Sequence, residues 1–223
     1  MSQTGSHDHH RTAFVNRAMQ QVFTIGHSTH TLTHFTSLLK PHGITVVGDV
    51  RSKPYSRVNP QFNRETLKQH LRQAGIEYVF LGNELGARSE DPSCYVDGKV
   101  QYERLAETDL FRQGMDRMRS EINARRLALM CAEKDPLNCH RTILVARHLF
   151  ALGVTVQHIL ADGTLESHAQ VLNRLIRQLG LPEKDLFRSR DDVLLDAYKL
   201  QGDRIAYVAD GSESSAPTGT TAR

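Results

Sequence analysis

Long apolar runs are missing from this chain of 223 residues. None approaches the roughly 18 residues that a membrane-spanning helix needs, so no membrane partner is expected. The N-terminal stretch lacks the charged-then-apolar layout of a secretory leader. Cysteine is scarce and odd in number, with Cys94, Cys131 and Cys139 alone, which excludes a disulfide framework and points to free thiols in a reducing cytoplasm. An excess of charge of one sign is absent too. Against 28 Lys and Arg stand 25 Asp and Glu, and no dense basic stripe of the kind a nucleic-acid binder carries occurs in contiguous sequence. There is no internal repeat.

Three further absences bear on chemistry. No Gly-x-Gly-x-x-Gly run follows the first apolar stretch, so Gly26-His27-Ser28 is only a weak echo of a nucleotide-binding turn. No Cys-x-x-Cys pair exists. Seven residues separate Cys131 from Cys139, which argues against a structural zinc site, and no metal or other cofactor is expected. A cysteine phosphatase or sulfurtransferase loop sets its cysteine five residues before an arginine. Here Cys131 precedes Arg141 by ten positions and Cys139 precedes it by two, so that register does not match either.

What is present suits one globular domain. Hydrophobic residues make up 39% of the chain and charged residues 24%, enough apolar material for a core. Residues 1–19, with His7, His9 and His10, have no helical or strand period. Residues 209–223 are rich in Ser, Thr, Gly and Ala. Both ends are expected to be disordered tails around a folded part at 20–208. Five short apolar runs, at 22–25, 44–47, 78–81, 127–130 and 154–160, read as buried strands. Helix-period segments lie between and after them, including one starting near Thr142, one from Glu166 and a last one at 191–200. Strands alternating with helices predict an α/β fold: a single domain with a mainly parallel five-stranded sheet and helices on both faces, a Rossmann-like three-layer arrangement. The loops after the parallel strands then leave one edge of the sheet, which gathers His27, Ser28, Asp49, Arg51, Glu84, Cys131, Glu133, Cys139, His140, Arg141 and Asp162 near one rim.

The densest chemistry falls between Cys131 and Arg141. Asn138-Cys139-His140-Arg141-Thr142 reads as a helix start, where free backbone N–H groups and the helix dipole favour an anion and a thiolate. Arg141 adds a planar donor suited to phosphate or carboxylate, unless it merely pairs with an acid while Asn138 caps the helix. Cys131 at the strand end can be a plain buried residue. Glu133 at that end needs a partner or serves as a general base. Asp49 and Arg51 lie two apart on a strand end, so they can hold a ligand's polar groups or form an internal ion pair that orders the loop at 52–63.

Taken together, Thr24-Ile25-Gly26-His27-Ser28, Asp49-Val50-Arg51, Asn59-Pro60-Gln61-Phe62, the run 81–86 (LGNELG) and Cys131-Ala132-Glu133 with Cys139-His140-Arg141 resemble the signature stretches of the domain-of-unknown-function family numbered 488. The resemblance covers about residues 22–180, with Ala87 standing where the family has a second glycine. It implies a compact α/β domain and brings no activity with it.

The residues themselves favour a small enzyme, a hydrolase or group transferase, acting on an anionic small molecule or nucleic acid. In that reading Glu133, Cys139, His140 and Asp49 are catalytic, and Arg141, Arg51, His27, Ser28, Cys131 and Asn138 bind substrate. The alternatives are a nucleotide or nucleic-acid binding module without turnover, and a thiol- or metal-dependent redox protein.

Overall fold

A computed structural model describes residues 20–182 and 187–209. The two expected tails, 1–19 and all but the first residue of 209–223, lie outside the described residues. The backbone alternates strand and helix as the apolar pattern predicts. The strands are β1 (Gln21–Gly26), β2 (Val46–Asp49), β3 (Glu77–Phe80), β4 (Tyr95–Val96), β5 (Lys99–Val100), β6 (Leu127–Cys131), β7 (Thr155–Ile159) and β8 (Leu165–Ser167). The helices are α1 (Leu32–Leu39), α2 (Arg64–Gln73), α3 (Gly82–Leu85), α4 (Tyr102–Ala106), α5 (Asp109–Ala124), α6 (Arg147–Ala151), α7 (His168–Gln178) and α8 (Arg190–Ile205).

The main sheet has the order β3-β2-β6-β1-β7-β8. Its first five strands are parallel and correspond to the five expected ones. The sheet nevertheless has six strands, not five, because β8 adds an antiparallel edge to β7. Its three residues are too few to carry a readable alternation. A tight reversal makes the edge: Gly163 has φ +85°, and Asp162 accepts from the Thr164 N–H at 3.0 Å. Glu166 therefore lies in a strand and not at a helix start. Ser167 instead caps α7 in a reciprocal capping box with Gln170.

Alternate residues of each central strand point to opposite faces. Phe23, Ile25, Val47, Ala128 and Met130 pack with α1 and α2 on one side. Val22, Val46, Leu127, Leu129 and Cys131 pack with α5, α6, α7 and α8 on the other. The result is the three-layer α/β domain. Helices α4 and α5 are separate, since the Thr108 hydroxyl accepts from the Phe111 N–H and starts α5 afresh. The long polar loop after Gly86 contains the β4–β5 hairpin, turned at Asp97 and Gly98, both at positive φ. Among the described residues, no helix is long and apolar enough to cross a membrane.

One buried polar chain ties the second face together. Thr24 Oγ1 meets His158 Nδ1 at 2.7 Å, His158 Nε2 meets His168 Nδ1 at 3.0 Å, and His168 Nε2 meets the Tyr198 hydroxyl at 2.8 Å. Each neutral imidazole offers one donor and one acceptor, so the chain is satisfied with both rings uncharged and cannot hold with both charged. Burial accordingly lowers His168 to about 4 and holds His158 well below the ordinary histidine value. The unfolded chain then binds more protons than the folded one between pH ~6.5 and about 4. Stability is full above that window and lost as pH falls through it. Thermal melts should show a Tm that drops across this range, and His168→Gln should flatten the drop. A Tm independent of pH between 6.5 and 4 would contradict the neutral chain.

Candidate functional site

The site follows from a topological fact. Strands β1 and β6 are neighbours in the sheet, yet β1 feeds α1 on one face while β6 feeds the helical segment ending in α6 on the other. A crevice outside the C-terminal ends of parallel strands opens where connections diverge in this way. Pairing continues past the strand ends, with the His27 N–H donating to the Cys131 carbonyl and the Ser28 N–H to the Ala132 carbonyl, both at 2.9 Å. The backbone after β6 crosses so closely that a Cβ on Gly26 would lie 1.9 Å from the Glu133 carbonyl oxygen. Only glycine admits that approach. Ser28 then turns the chain with φ +47°, an uncommon conformation for a residue with a side chain.

On one wall, Asp49 and Arg51 form a buried pair. Arg51 donates from Nε to Asp49 Oδ1 at 2.9 Å and from NH2 to Asp49 Oδ2 at 2.6 Å. The Tyr78 hydroxyl donates to the same carboxylate at 2.8 Å. Arg51 also donates to the Phe62 carbonyl at 2.9 Å and reaches His27 Nε2 at 3.2 Å. His27 donates from Nδ1 to the Ser28 carbonyl, which leaves Nε2 as the acceptor, and its ring stacks on Phe62 with centroids 4.3 Å apart. Burial, reinforced by the Arg51 guanidinium, lowers His27 to about 4, so it stays neutral near pH 7. Asp49 and Arg51 are thereby spent on each other and on the loop at 52–63. They shape the crevice, and neither has a polar atom left over for a ligand.

On the other wall, Cys131, Cys139 and His140 converge. Their potential ligand atoms all lie within 4.8 Å of one another, and all three residues are buried. His140 Nδ1 faces Cys131 Sγ at 3.7 Å, while its Nε2 donates to the Val50 carbonyl at 2.9 Å. That second bond fixes the tautomer and leaves the Nδ1 lone pair facing the thiols. Burial would raise the Cys139 thiol, but hydrogen bonding from Cys131 and the positive charge of Arg141 outweigh it and bring Cys139 well below the ordinary thiol value. Cys131, donating to Cys139 and buried, is held well above it. Glu133 reaches solvent at the rim. Its carboxyl is raised by partial burial and by Cys139.

The helical segment starts beside Thr142, as the sequence suggested, but the alternative of an Asn138 cap does not hold. Asp135 caps a preceding turn at Pro136–Asn138 by accepting from the Leu137 N–H at 2.9 Å, and Asn138 sits exposed at the rim. The Cys139 carbonyl accepts from both the Thr142 and Ile143 N–H groups, and the first six residues, Arg141–Ala146, form a wide π-helical turn. Such turns recur at functional sites. Arg141 is 1% exposed and donates to the Glu133 carbonyl at 2.7 Å and the Lys134 carbonyl at 3.4 Å. Its Nε and the Thr142 hydroxyl are buried without a hydrogen-bond partner.

The crevice thus unites His27, Ser28, Asp49 and Arg51 with Cys131, Cys139, His140 and Arg141, with Glu133 and Asn138 at the rim. Other residues placed on this rim by sequence go elsewhere. Asp162 is the turn residue of the β7–β8 hairpin, and Glu84 pairs with Arg117 at 2.7 Å. Cys94 is buried in the core and is not part of the group formed by Cys131, Cys139 and His140. Tyr78, Phe62 and Thr142 were overlooked as site residues. Phe62 lies in a motif stretch, which was the available signal, whereas the Tyr78 hydroxyl bond to Asp49 spans 29 residues and has no sequence trace.

Two substitutions test this construction. Asp49→Ala should strand the buried Arg51 charge and destabilise the fold by about 3–5 kcal/mol in urea titrations. In the native fraction it should also speed tryptic cleavage after Arg57. Gly26→Ala should cost about 1–3 kcal/mol, because the Cβ meets backbone that cannot step aside. A wild-type urea midpoint in either variant would refute the packing described.

The family described as Domain of unknown function DUF488 matches residues 31–148, which include Asp49, Arg51 and the whole stretch from Cys131 to Thr142 but not His27 or Ser28. No curated protein and no solved structure matches the chain. The match spans more than half of the sequence and contains the thiol pair, His140 and Arg141, and by it the chain belongs to the DUF488 family.

Proposed function

We propose that this protein is a cytoplasmic enzyme that hydrolyses, or transfers a group on, an anionic nucleotide-like substrate held in the crevice between the ends of β1 and β6. The observation that carries this reading is the pair of orphan donors at the helix start. Arg141 Nε and the Thr142 hydroxyl are buried and unpartnered, next in sequence to Cys139 and His140. Buried donors are ordinarily satisfied, so an unmatched guanidinium N–H and hydroxyl beside reactive groups call for an anion or its ordered water. Cys139 and His140 form the reactive centre, Glu133 at the rim moves the proton, and Asn138 and the Ser28 hydroxyl contact the substrate. Asp49, Arg51 and His27 act through position.

A nucleotide is favoured by the loop that Arg51 anchors, which carries exposed Lys53, Tyr55 and Arg57. An aromatic face between two cations suits a base and its phosphates. A long nucleic-acid strand is less favoured. The neighbouring cleft, about 1690 Å³ in volume, is lined by Lys53, Arg88, Arg104 and Arg112 but equally by Glu90, Asp91, Glu107 and Asp109, so it offers no net field for a run of phosphates.

The test is turnover by the purified full chain on a panel of nucleotides and short oligonucleotides, followed by product chromatography. Glu133→Gln is expected to lower kcat by about 10²–10⁴-fold with KM little changed. Cys139→Ala is expected to abolish turnover and retain binding. Binding without turnover anywhere on the panel would favour a sensor module, and neither binding nor turnover would remove the nucleotide reading.

A further inference from the structure

We propose that Cys131, Cys139 and His140 form a three-ligand site for a zinc ion, with the fourth position open toward Glu133. The sequence argued against zinc because structural sites draw on closely spaced cysteine pairs. Folding answers that objection differently, since Cys131 ends a strand and Cys139 starts the helical segment that returns over it. The spacing rule applies to one loop wrapped around a metal, not to ligands delivered by a strand end and a helix packed on the same sheet.

The distances fit. A zinc ion binds sulfur at about 2.3 Å and imidazole nitrogen at about 2.0–2.1 Å, and at a tetrahedral angle those lengths set the sulfur and nitrogen about 3.6 Å apart. Cys131 Sγ and His140 Nδ1 stand 3.7 Å apart before any ion is added. Cys139 completes the triangle within the 4.8 Å span of the cluster, and among the described residues this is the one group of three such side chains close enough to share an ion. The outer contacts fit as well. His140 donates its other ring N–H to the Val50 carbonyl at 2.9 Å, the bond by which metal-bound histidines are usually oriented. Two sulfurs and an imidazole are soft to borderline donors, which selects zinc over magnesium or calcium.

Coordination balances simply. The ion replaces the thiol protons, which pass to solvent, and two thiolates neutralise its two charges. Three protein ligands with a water in the fourth place is the arrangement of catalytic zinc, and structural zinc is closed by four. Glu133 stands at the rim where it can take a proton from that water. The metal site rests on three side chains and stands without any substrate. Its use in hydrolysis rests on the reading given under Proposed function.

The experiment uses the reduced full chain, stripped with chelator and titrated anaerobically with cobalt(II), then with zinc. His7, His9 and His10 could hold stray metal, so total metal content alone is not the readout. Cobalt bound by thiolates gives a near-ultraviolet charge-transfer band and intense tetrahedral visible bands, which a histidine tail does not produce. One equivalent of cobalt is expected to raise both, and one equivalent of zinc to remove them. Cys131→Ser and Cys139→Ser should each weaken or lose the charge-transfer band while the far-ultraviolet circular dichroism stays native. Cys94→Ser should leave it intact. His140→Gln should shift the visible bands. No charge-transfer band at saturating cobalt, with three free thiols counted chemically, would overturn the proposal. So would a band that survives both Cys131→Ser and Cys139→Ser. Because the readout involves no turnover, a metal site without activity would sink only the enzymatic reading, and activity without metal only this one.

Discussion

Everything at the crevice depends on two parallel strands lying side by side and parting company at their ends. Strand β1 hands its chain to one face of the sheet and β6 to the other, so the central hydrogen-bonded ladder opens where both stop. Two further backbone bonds, His27 to Cys131 and Ser28 to Ala132, delay that opening. They press the chain after β6 against Gly26 so tightly that no side chain fits between. The sheet therefore supplies a rigid floor, and the groups above it inherit its precision.

The polar groups of that floor are satisfied in an unequal way. Asp49 receives Arg51 and Tyr78, Arg51 also holds His27 and the Phe62 carbonyl, and the histidine ring rests on Phe62. A buried ion pair of this kind seldom adds much net stability, because desolvation offsets the attraction. It does fix where the loop at 52–63 begins and ends. Arg141 and Thr142 contrast with this. They are as deeply buried, but a guanidinium nitrogen and a hydroxyl go without partners. Full satisfaction on one wall thus stands beside a deficit of hydrogen-bond partners on the other.

The same contrast separates the histidines. His158 and His168 sit in a closed chain between Thr24 and Tyr198, with every ring nitrogen engaged, and their burial keeps them neutral for structural reasons. His140 has one nitrogen engaged by a backbone carbonyl and the other facing two sulfurs. Burial alone does not distinguish these roles. The identity of the atom opposite the free lone pair does.

Much of this was legible in the chain itself. Apolar runs at strand length, alternating with helix-period segments, announced the parallel sheet, its five parallel strands and the shared edge from which their loops emerge. The concentration of Cys131, Glu133, Cys139, His140 and Arg141 in eleven residues was legible too, since residues so close in sequence stay close in space. What the chain could not disclose were pairings set by distance along it. The β8 edge depends on a turn of three residues. The Tyr78 bond to Asp49 depends on two strands finding their register. The His140 bond to the carbonyl of Val50 joins residues 90 apart in the chain. Local sequence decides which groups are available and roughly where, because periodicity and turn chemistry act within a few residues. Tertiary structure alone decided that Cys131, Cys139 and His140 face one another, because that convergence comes from a strand end and a returning helix whose spacing only the packed sheet sets.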